Sequence, residues 1–278
     1  MDLRRQITSR QTIWAAGAYD VLSARIIEEA GFDAVFTSGF GISASLLGQP
    51  DSGLYTMAEN VAVVRNVAKA VSKPVIADMD TGYGDSGQAA MALREFEAAG
   101  ASAIVIEDKC SSREGRASGE RERLVSVDEA SGKIASIVAA SRPSQTVIIA
   151  RTNATTVEEA AERARRYVAA GADLIQPASY GITTIDGLRS LRTAAGVPLS
   201  VQIVGWLQDL RPAEIESVAG LATFPLVSTM TVAAVLRSNM KQLAQVKNTR
   251  SLDFPTMEQR EFQNWISKGL SEIDELRR

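Results

Sequence analysis

Asp78-Met79-Asp80 closes an apolar run that begins Pro74-Val75-Ile76-Ala77. Residues two apart in a strand point to the same side, so this run predicts two carboxylates on one face at a strand end. Such like charges repel unless a cation sits between or beside them; the plain alternative is a solvated pair at a loop start. Glu107-Asp108 repeats the arrangement after Ile104-Val105-Ile106. Acidic ends on consecutive strands together predict an oxygen cage for a hard cation that keeps several waters, as Mg²⁺ prefers. The chain has no histidine, which removes the commonest general base and the commonest transition-metal ligand. Serine–histidine and cysteine–histidine hydrolysis are thereby excluded. Oxygen ligands point to Mg²⁺, Mn²⁺ or Ca²⁺ over Zn²⁺ or Cu²⁺.

Other residues carry chemistry less specifically. Arg151 ends a strand, where a guanidinium clamps a carboxylate bidentately or else pairs with a strand-end acid. In Ser38-Gly39-Phe40-Gly41 the glycines permit close backbone approach to a ligand, or simply a tight turn. Cys110, the single cysteine, follows Glu107-Asp108-Lys109 and reads most simply as inert filler. Gly82-Tyr83-Gly84-Asp85-Ser86-Gly87 matches G-x-G-x-x-G between a strand and a helix, with Glu107 further on. Against a dinucleotide loop, Asp78, Asp80 and Asp85 would crowd negative charge around a pyrophosphate.

The elements that must position these residues are also marked. Ala30-Gly31-Phe32-Asp33, Ala99-Gly100-Ala101-Ser102 and Ala170-Gly171-Ala172-Asp173 each follow an amphipathic stretch and precede a β-branched run. The pattern is a helix closing on a C′ glycine and turning into a buried strand. Thr56-x-x-Glu59, Ser126-x-x-Glu129 and Thr156-x-x-Glu159 have capping-box spacing, and Pro212 suits a first helical turn. Apolar strand candidates fall at 13–17, 33–38, 74–80, 103–107, 146–151, 173–178, 199–204 and 222–228. Eight strands alternating with helices predict an α/β fold, a closed parallel (β/α)₈ TIM barrel, with an open doubly wound sheet as the competing architecture. The expected organisation is one barrel domain over residues 1–278, with 250–278 a helical extension. Within that tail, 256–276 is amphipathic through Phe262, Trp265, Ile266, Leu270 and Ile273.

The 278 residues are 45% hydrophobic and 23% charged, ordinary for a globular chain. A formal charge of -3 and a pI near 5.3 argue against nucleic acid or anionic membrane as partners. One cysteine permits no internal disulfide, the N-terminus lacks a secretory apolar core, and no apolar run approaches the roughly 20 residues of a membrane span. A soluble cytoplasmic protein is expected.

Several segments together resemble the isocitrate lyase/phosphoenolpyruvate mutase superfamily. They are Gly17-Ala18-Tyr19-Asp20, Thr37-Ser38-Gly39, the run from Ser43 to Asp51, Ala77-Asp78-Met79-Asp80-Thr81-Gly82-Tyr83-Gly84, Ile106-Glu107-Asp108, and Ile149-Ala150-Arg151-Thr152-Asn153. The resemblance implies a Mg²⁺ enzyme (Mn²⁺ as substitute) that breaks a C–C or P–C bond beside a pyruvate-like unit of a small α-keto or α-hydroxy acid. It implies Asp80 as direct metal ligand, with Asp78 and Glu107 holding metal-bound waters. The Ser38 and Gly39 amides and Arg151 would bind the substrate carboxylate, and Asp51 would lie near the reacting centre, so that Asp51 and Arg151 form the catalytic pair. Phe36, where the superfamily usually has tyrosine, Asn153 and Gln202 complete the substrate-contacting set. Tetramers with exchanged C-terminal helices are common in the superfamily, so a homotetramer is expected.

Departures from the pattern bear on the branch. The lyases' K-[KR]-C-G-H loop is replaced by Lys109-Cys110-Ser111-Ser112-Arg113-Glu114-Gly115-Arg116, with Cys110 out of register, and the mutases' K-x-N-S loop is missing. Where lyases carry Glu and mutases or hydrolases His, the chain reads Pro177-Ala178-Ser179. The site looks nearest to the oxaloacetate decarboxylase branch, whose chemistry does not require the lyase acid. Phosphonopyruvate hydrolase or mutase chemistry, a methylisocitrate-lyase-like C–C lyase with an atypical gating loop, and a non-catalytic carboxylate-binding barrel are the alternatives.

Overall fold

The three glycine-punctuated turns behave as their sequence implies: Gly31, Gly100 and Gly171 all adopt left-handed backbone, with φ of 89°, 101° and 103°. Each ends a helix and delivers the chain to a buried strand. The computed structural model describes residues 3–8, 11–110, 123–141 and 146–267. In chain order the strands are β1 (Ile13–Ala18), β2 (Ala34–Thr37), β3 (Val75–Asp78), β4 (Ala103–Glu107), β5 (Val147–Thr152), β6 (Leu174–Pro177), β7 (Leu199–Gln202) and β8 (Ala219–Phe224). The helices are α1 (Leu3–Thr8), α2 (Val21–Glu29), α3 (Gly39–Leu47), α4 (Met57–Ala70), α5 (Ser86–Ala99), α6 (Val127–Ala140), α7 (Val157–Ala169), α8 (Ile185–Ala195), α9 (Pro212–Glu216), α10 (Val227–Val246) and α11 (Gln259–Ser267).

All eight strands are parallel and pair in chain order, with β8 returning to β1, so the sheet is a closed barrel and the open-sheet alternative falls. Alternate residues fill its inside: Ile13 and Ala15, Ala34 and Phe36, Ile76, Ala103 and Val105, Val147 and Ile149, Leu174 and Leu221, with Leu3 and Ile7 of α1 in the same cluster. The opposite faces of the strands pack on the helices in a second, larger core built from such residues as Ile104, Ile106, Ile148 and Ile175. This two-sided burial explains why the strands read as continuous apolar runs.

The helix starts are capped as their spacing suggests. Thr56 and Glu59 form a reciprocal box on α4, while Ser126 and Thr156 each accept the backbone N–H three residues on. The eighth strand departs from expectation, lying at Ala219–Phe224 instead of 222–228. Its register is fixed by β1, with Ile13 opposite Leu221 and Ala16 opposite Phe224, and Pro225 lacks the N–H to continue the ladder. Gly17 makes room there, since a Cβ at that position would lie 2.1 Å from the Pro225 carbonyl oxygen.

The chain divides into two compact units, one ending at Ser228 and one beginning at Thr229. In the second unit, Asn239 exchanges two hydrogen bonds with the Phe254 backbone, and Gln242 bonds Asp253. Phe262 stacks on Trp265 within α11. Leu270 and Ile273 lie outside the described residues. Among those described, no helix is long and apolar enough to cross a membrane.

Candidate active site

Asp78 is the last residue of β3, and Asp80 does not continue the strand: its φ is 50°. The two acids therefore come together by a different route from strand alternation. The strand stops, buried Met79 donates its N–H to Val105 O, and a left-handed Asp80 turns back beside Asp78. The Asp80 N–H donates to Asp78 Oδ1 at 3.2 Å, and the Asp80 carbonyl accepts the Glu107 N–H at 2.9 Å. Backbone bonds thus tie both acidic strand ends to one place.

Glu107 ends β4 facing this turn. Lys109 Nζ lies 2.5 Å from its Oε1, Arg151 Nε 3.5 Å from its Oε2, and Asn153 Nδ2 donates to Oε2 at 3.1 Å. Arg151 thus makes the strand-end ion pair that its position allowed. Asp108 does not join the cage. Adjacent strand residues face opposite ways, and Asp108 enters the helix layer, accepting from Asn153 N at 2.9 Å, Tyr167 Oη at 2.8 Å and Arg163 Nη1 at 3.2 Å.

Burial, then the charges of Asp80, Asp51 and Glu107, push the Asp78 carboxyl up to about 8, with Arg151 opposing. Burial and Asp51 likewise push Asp80 up to about 6, with the Tyr55 hydrogen bond and Lys109 opposing and Glu107 adding. Four mutually repelling carboxylates are what a cation would relieve. Among the described residues no three acidic or thiol side chains converge to ligate an ion alone. That spacing is compatible with a hard cation held by one or two carboxylates with waters completing its shell.

The other expected residues fall in varied places. The Gly39 N–H, at the start of α3, points at Asp78 Oδ2 from 3.4 Å, whereas the Ser38 N–H is engaged by Ala18 O at 2.9 Å. Phe36 packs within the barrel's inner core. Asn153 is taken up by Glu107 through Nδ2 and by Tyr180 Oη on Oδ1, so it orients Glu107. Gln202 ends β7, half-buried, across the barrel from β3. Asp51 follows a turn pinned by Ser43 Oγ on the Gln49 and Pro50 carbonyls, and its charge acts on both Asp78 and Asp80. The G-x-G-x-x-G stretch is no phosphate loop: the Asp85 carboxylate caps α5 by accepting Gln88 N, where a phosphate would sit.

Sequence reasoning missed Tyr55, Asn60 and the role of Tyr83. Tyr55 Oη donates to Asp80 Oδ2 at 2.8 Å, and buried Asn60 donates to both Asp78 O and Tyr83 Oη at 2.8 Å. Burial and the surrounding carboxylates hold both phenols far above their usual range, so each keeps its proton. Asn60 was detectable as an amide on the apolar face of α4, in helical register with Val64 and Val67.

A family model described as phosphoenolpyruvate phosphomutase matches residues 3–246. The chain is 41% identical over 181 residues to 2,3-dimethylmalate lyase of Eubacterium barkeri, a stretch covering 62% of this chain and 61% of the relative. It is 36% identical over 203 residues to an oxaloacetate decarboxylase of Rhodopseudomonas palustris, covering 72% and 69%. A solved structure of phosphonopyruvate hydrolase in complex with oxalate and Mg²⁺ superposes with a TM-score of 0.88 at 30% identity, covering 99% of this chain and 97% of that one. These similarities are too even to favour the decarboxylase branch over the others. With an eight-stranded barrel, clustered strand-end acids and a match over most of its length, the chain belongs to the phosphoenolpyruvate mutase family, within the isocitrate lyase/phosphoenolpyruvate mutase superfamily.

Proposed function

We propose that this chain is a divalent-metal-dependent lyase acting on a small α-keto or α-hydroxy dicarboxylate through a pyruvate-type enolate, in the manner of oxaloacetate decarboxylase. The observation that carries the reading is the electrostatic grouping of Asp51, Asp78, Asp80 and Glu107 at the strand ends, where burial first and then the neighbouring charges raise the Asp78 and Asp80 carboxyls. When bound, Mg²⁺ or Mn²⁺ supplies Lewis acidity toward a carbonyl oxygen. Asp80 would hold it directly, and Asp78 and Glu107 would hold its waters. Arg151, ion-paired with Glu107, would be the cation nearest a substrate carboxylate, and the Gly39 N–H steadies Asp78. In decarboxylation the C–C bond breaks, its electron pair remains as the pyruvate enolate, CO₂ leaves, and one proton from water completes pyruvate. No acid in the lyase loop is required, which accommodates Ala178 and the missing histidine. Incubating the chain with Mg²⁺ and a panel of α-keto and α-hydroxy diacids, followed by NMR, tests this. Oxaloacetate turnover at the buffer rate would remove the decarboxylase assignment.

P–C bond chemistry is the second reading. Lys109 seated on Glu107 supports it, as does the likeness to phosphonopyruvate hydrolase. Phosphate release from phosphonopyruvate in the same panel would select it. The chain is also proposed to assemble with copies of itself as a tetramer, since α10 and α11 leave Met230, Leu236, Met240, Phe262 and Ile266 exposed.

A further inference from the structure

Asp80 and Tyr83, three residues apart, both carry left-handed backbone, with φ of 50° and 60°. L residues adopt that conformation only where their surroundings over-determine it. Here the surroundings are polar and buried. Asn60, fully buried on α4, has two amide protons; one goes to the Asp78 carbonyl and the other to Tyr83 Oη, each at 2.8 Å. Tyr83 Oη is therefore an acceptor toward Asn60, which leaves its own proton for the neighbouring Asp80 carboxylate, whose charge reaches the phenol. From the segment between α3 and α4, Tyr55 sends its proton to Asp80 Oδ2 at 2.8 Å. Gly39 is matched to this phenol: a Cβ there would lie 2.6 Å from Tyr55 Oη. The Tyr83 ring is held as well, stacked on Phe96 with centroids 6.3 Å apart.

We propose that Tyr55 and Tyr83, the latter set by Asn60, form a two-phenol cradle that fixes the orientation of the Asp80 carboxylate for a divalent cation. The inference rests on the reading of Asp80 as the metal-holding acid. A carboxylate on a turn is free to rotate about its last bond, and each orientation presents different lone pairs. Two donors, one from the α3–α4 segment and one from the Asp80 turn itself, would remove that freedom and leave the remaining lone pairs for the ion. The three residues are positioning residues, since their contact with the ion is through Asp80.

The test uses the full metal-free chain and Mn²⁺ alone as probe, with free Mn²⁺ read by electron paramagnetic resonance and thermal melting followed in parallel without metal. Tyr55→Phe and Tyr83→Phe keep the rings and remove one proton each. Each is expected to weaken Mn²⁺ binding about 10- to 100-fold, with a metal-free melting temperature close to that of the parent. Thr184→Val, which removes the side-chain cap of α8, lowers the melting temperature and leaves Mn²⁺ affinity unchanged, separating stability from positioning. If the parent binds Mn²⁺ through Asp80, shown by loss of binding in Asp80→Ala, and both phenylalanine variants bind within about twofold of it, the cradle is refuted and the metal site stands. Absence of saturable Mn²⁺ binding by the parent, or binding indifferent to Asp80→Ala, overturns the metal reading and the cradle together.

Discussion

Replacing Arg163 by methionine should cost this chain more stability than any single change to the polar partners around it. Its side chain is 7% exposed and that of Asp108 is 1% exposed. Arg163 Nη1 lies 3.2 Å from Asp108 Oδ2 and 3.1 Å from the Val125 carbonyl, and Nε lies 3.1 Å from Glu159. Among the described residues no second cation pairs with Asp108. Methionine fills much of the same volume but leaves a buried carboxylate with Asn153 N, Tyr167 Oη and a long contact from Asn153 Nδ2 as neutral donors. Breaking a buried pair from one side costs roughly 3–5 kcal/mol. Asp108→Asn should cost less, about 1–3 kcal/mol, because Arg163 keeps the more exposed Glu159 as counter-charge. Urea unfolding followed by tryptophan fluorescence and far-UV circular dichroism reads both; at a slope of about 3 kcal/mol per molar, Arg163→Met moves the midpoint down by roughly 1–2 M. The double variant should lose less than the sum, with a coupling of about 1–3 kcal/mol. Additive losses, or an Arg163→Met loss under about 1 kcal/mol, would refute the view of this pair as a buried, mutually dependent unit.

Asp80→Ala should abolish both Mg²⁺-dependent turnover and the rise in melting temperature that Mg²⁺ gives the parent; turnover surviving the change would count against Asp80 as ligand. Without metal, folding raises the Asp78 and Asp80 carboxyls from 3.8 to about 8 and about 6, so the folded chain binds more protons than the unfolded one. Stability should therefore fall as pH rises from about 4 toward about 8, and Mg²⁺ should flatten that slope; urea midpoints across this range with and without Mg²⁺ check it. Gly39→Ala places a Cβ 2.6 Å from Tyr55 Oη and 3.0 Å from Asp78 Oδ2. It should cost roughly 1–3 kcal/mol and weaken metal binding, read by melting and by Mg²⁺ titration. Leu236→Asp and Met240→Asp in α10 should lower the mass seen by light scattering if that exposed apolar face joins copies of the chain.

The barrel was legible because its signals are local and repeated. A helix that ends on Gly31, Gly100 or Gly171 and turns at once into a β-branched run allows little besides an α/β unit, and eight such runs close a sheet. The eighth strand was misplaced because Ala222 to Ser228 is as apolar as Ala219 to Phe224, and only the pairing with Ile13–Ala18 decides between them. In the site, residue types were readable and directions were not. Asp80 was placed beside Asp78 by assuming strand alternation, yet the strand has ended and a left-handed turn does the work. Glu107 and Asp108 looked like a second doublet, but period-two geometry sends one to the mouth and the other to Arg163. Tyr55 escaped notice because its partner lies 25 residues away, in a segment without periodicity.

The placement of charge at the strand ends bears on the ion proposed for them. Four carboxylates act on one another there: Asp51, Asp78, Asp80 and Glu107. Among the described residues Lys109 and Arg151 oppose them, both within ion-pair distance of Glu107. The cations are not spread evenly, however. Both contact Glu107, whereas on the Asp80 side the Tyr55 phenol supplies partial positive charge through its hydrogen bond but no net charge. If the strand ends hold a divalent ion as proposed, the Asp80 side is where it would be drawn, because Glu107 is already ion-paired with Lys109 and Arg151 and would be left to orient water.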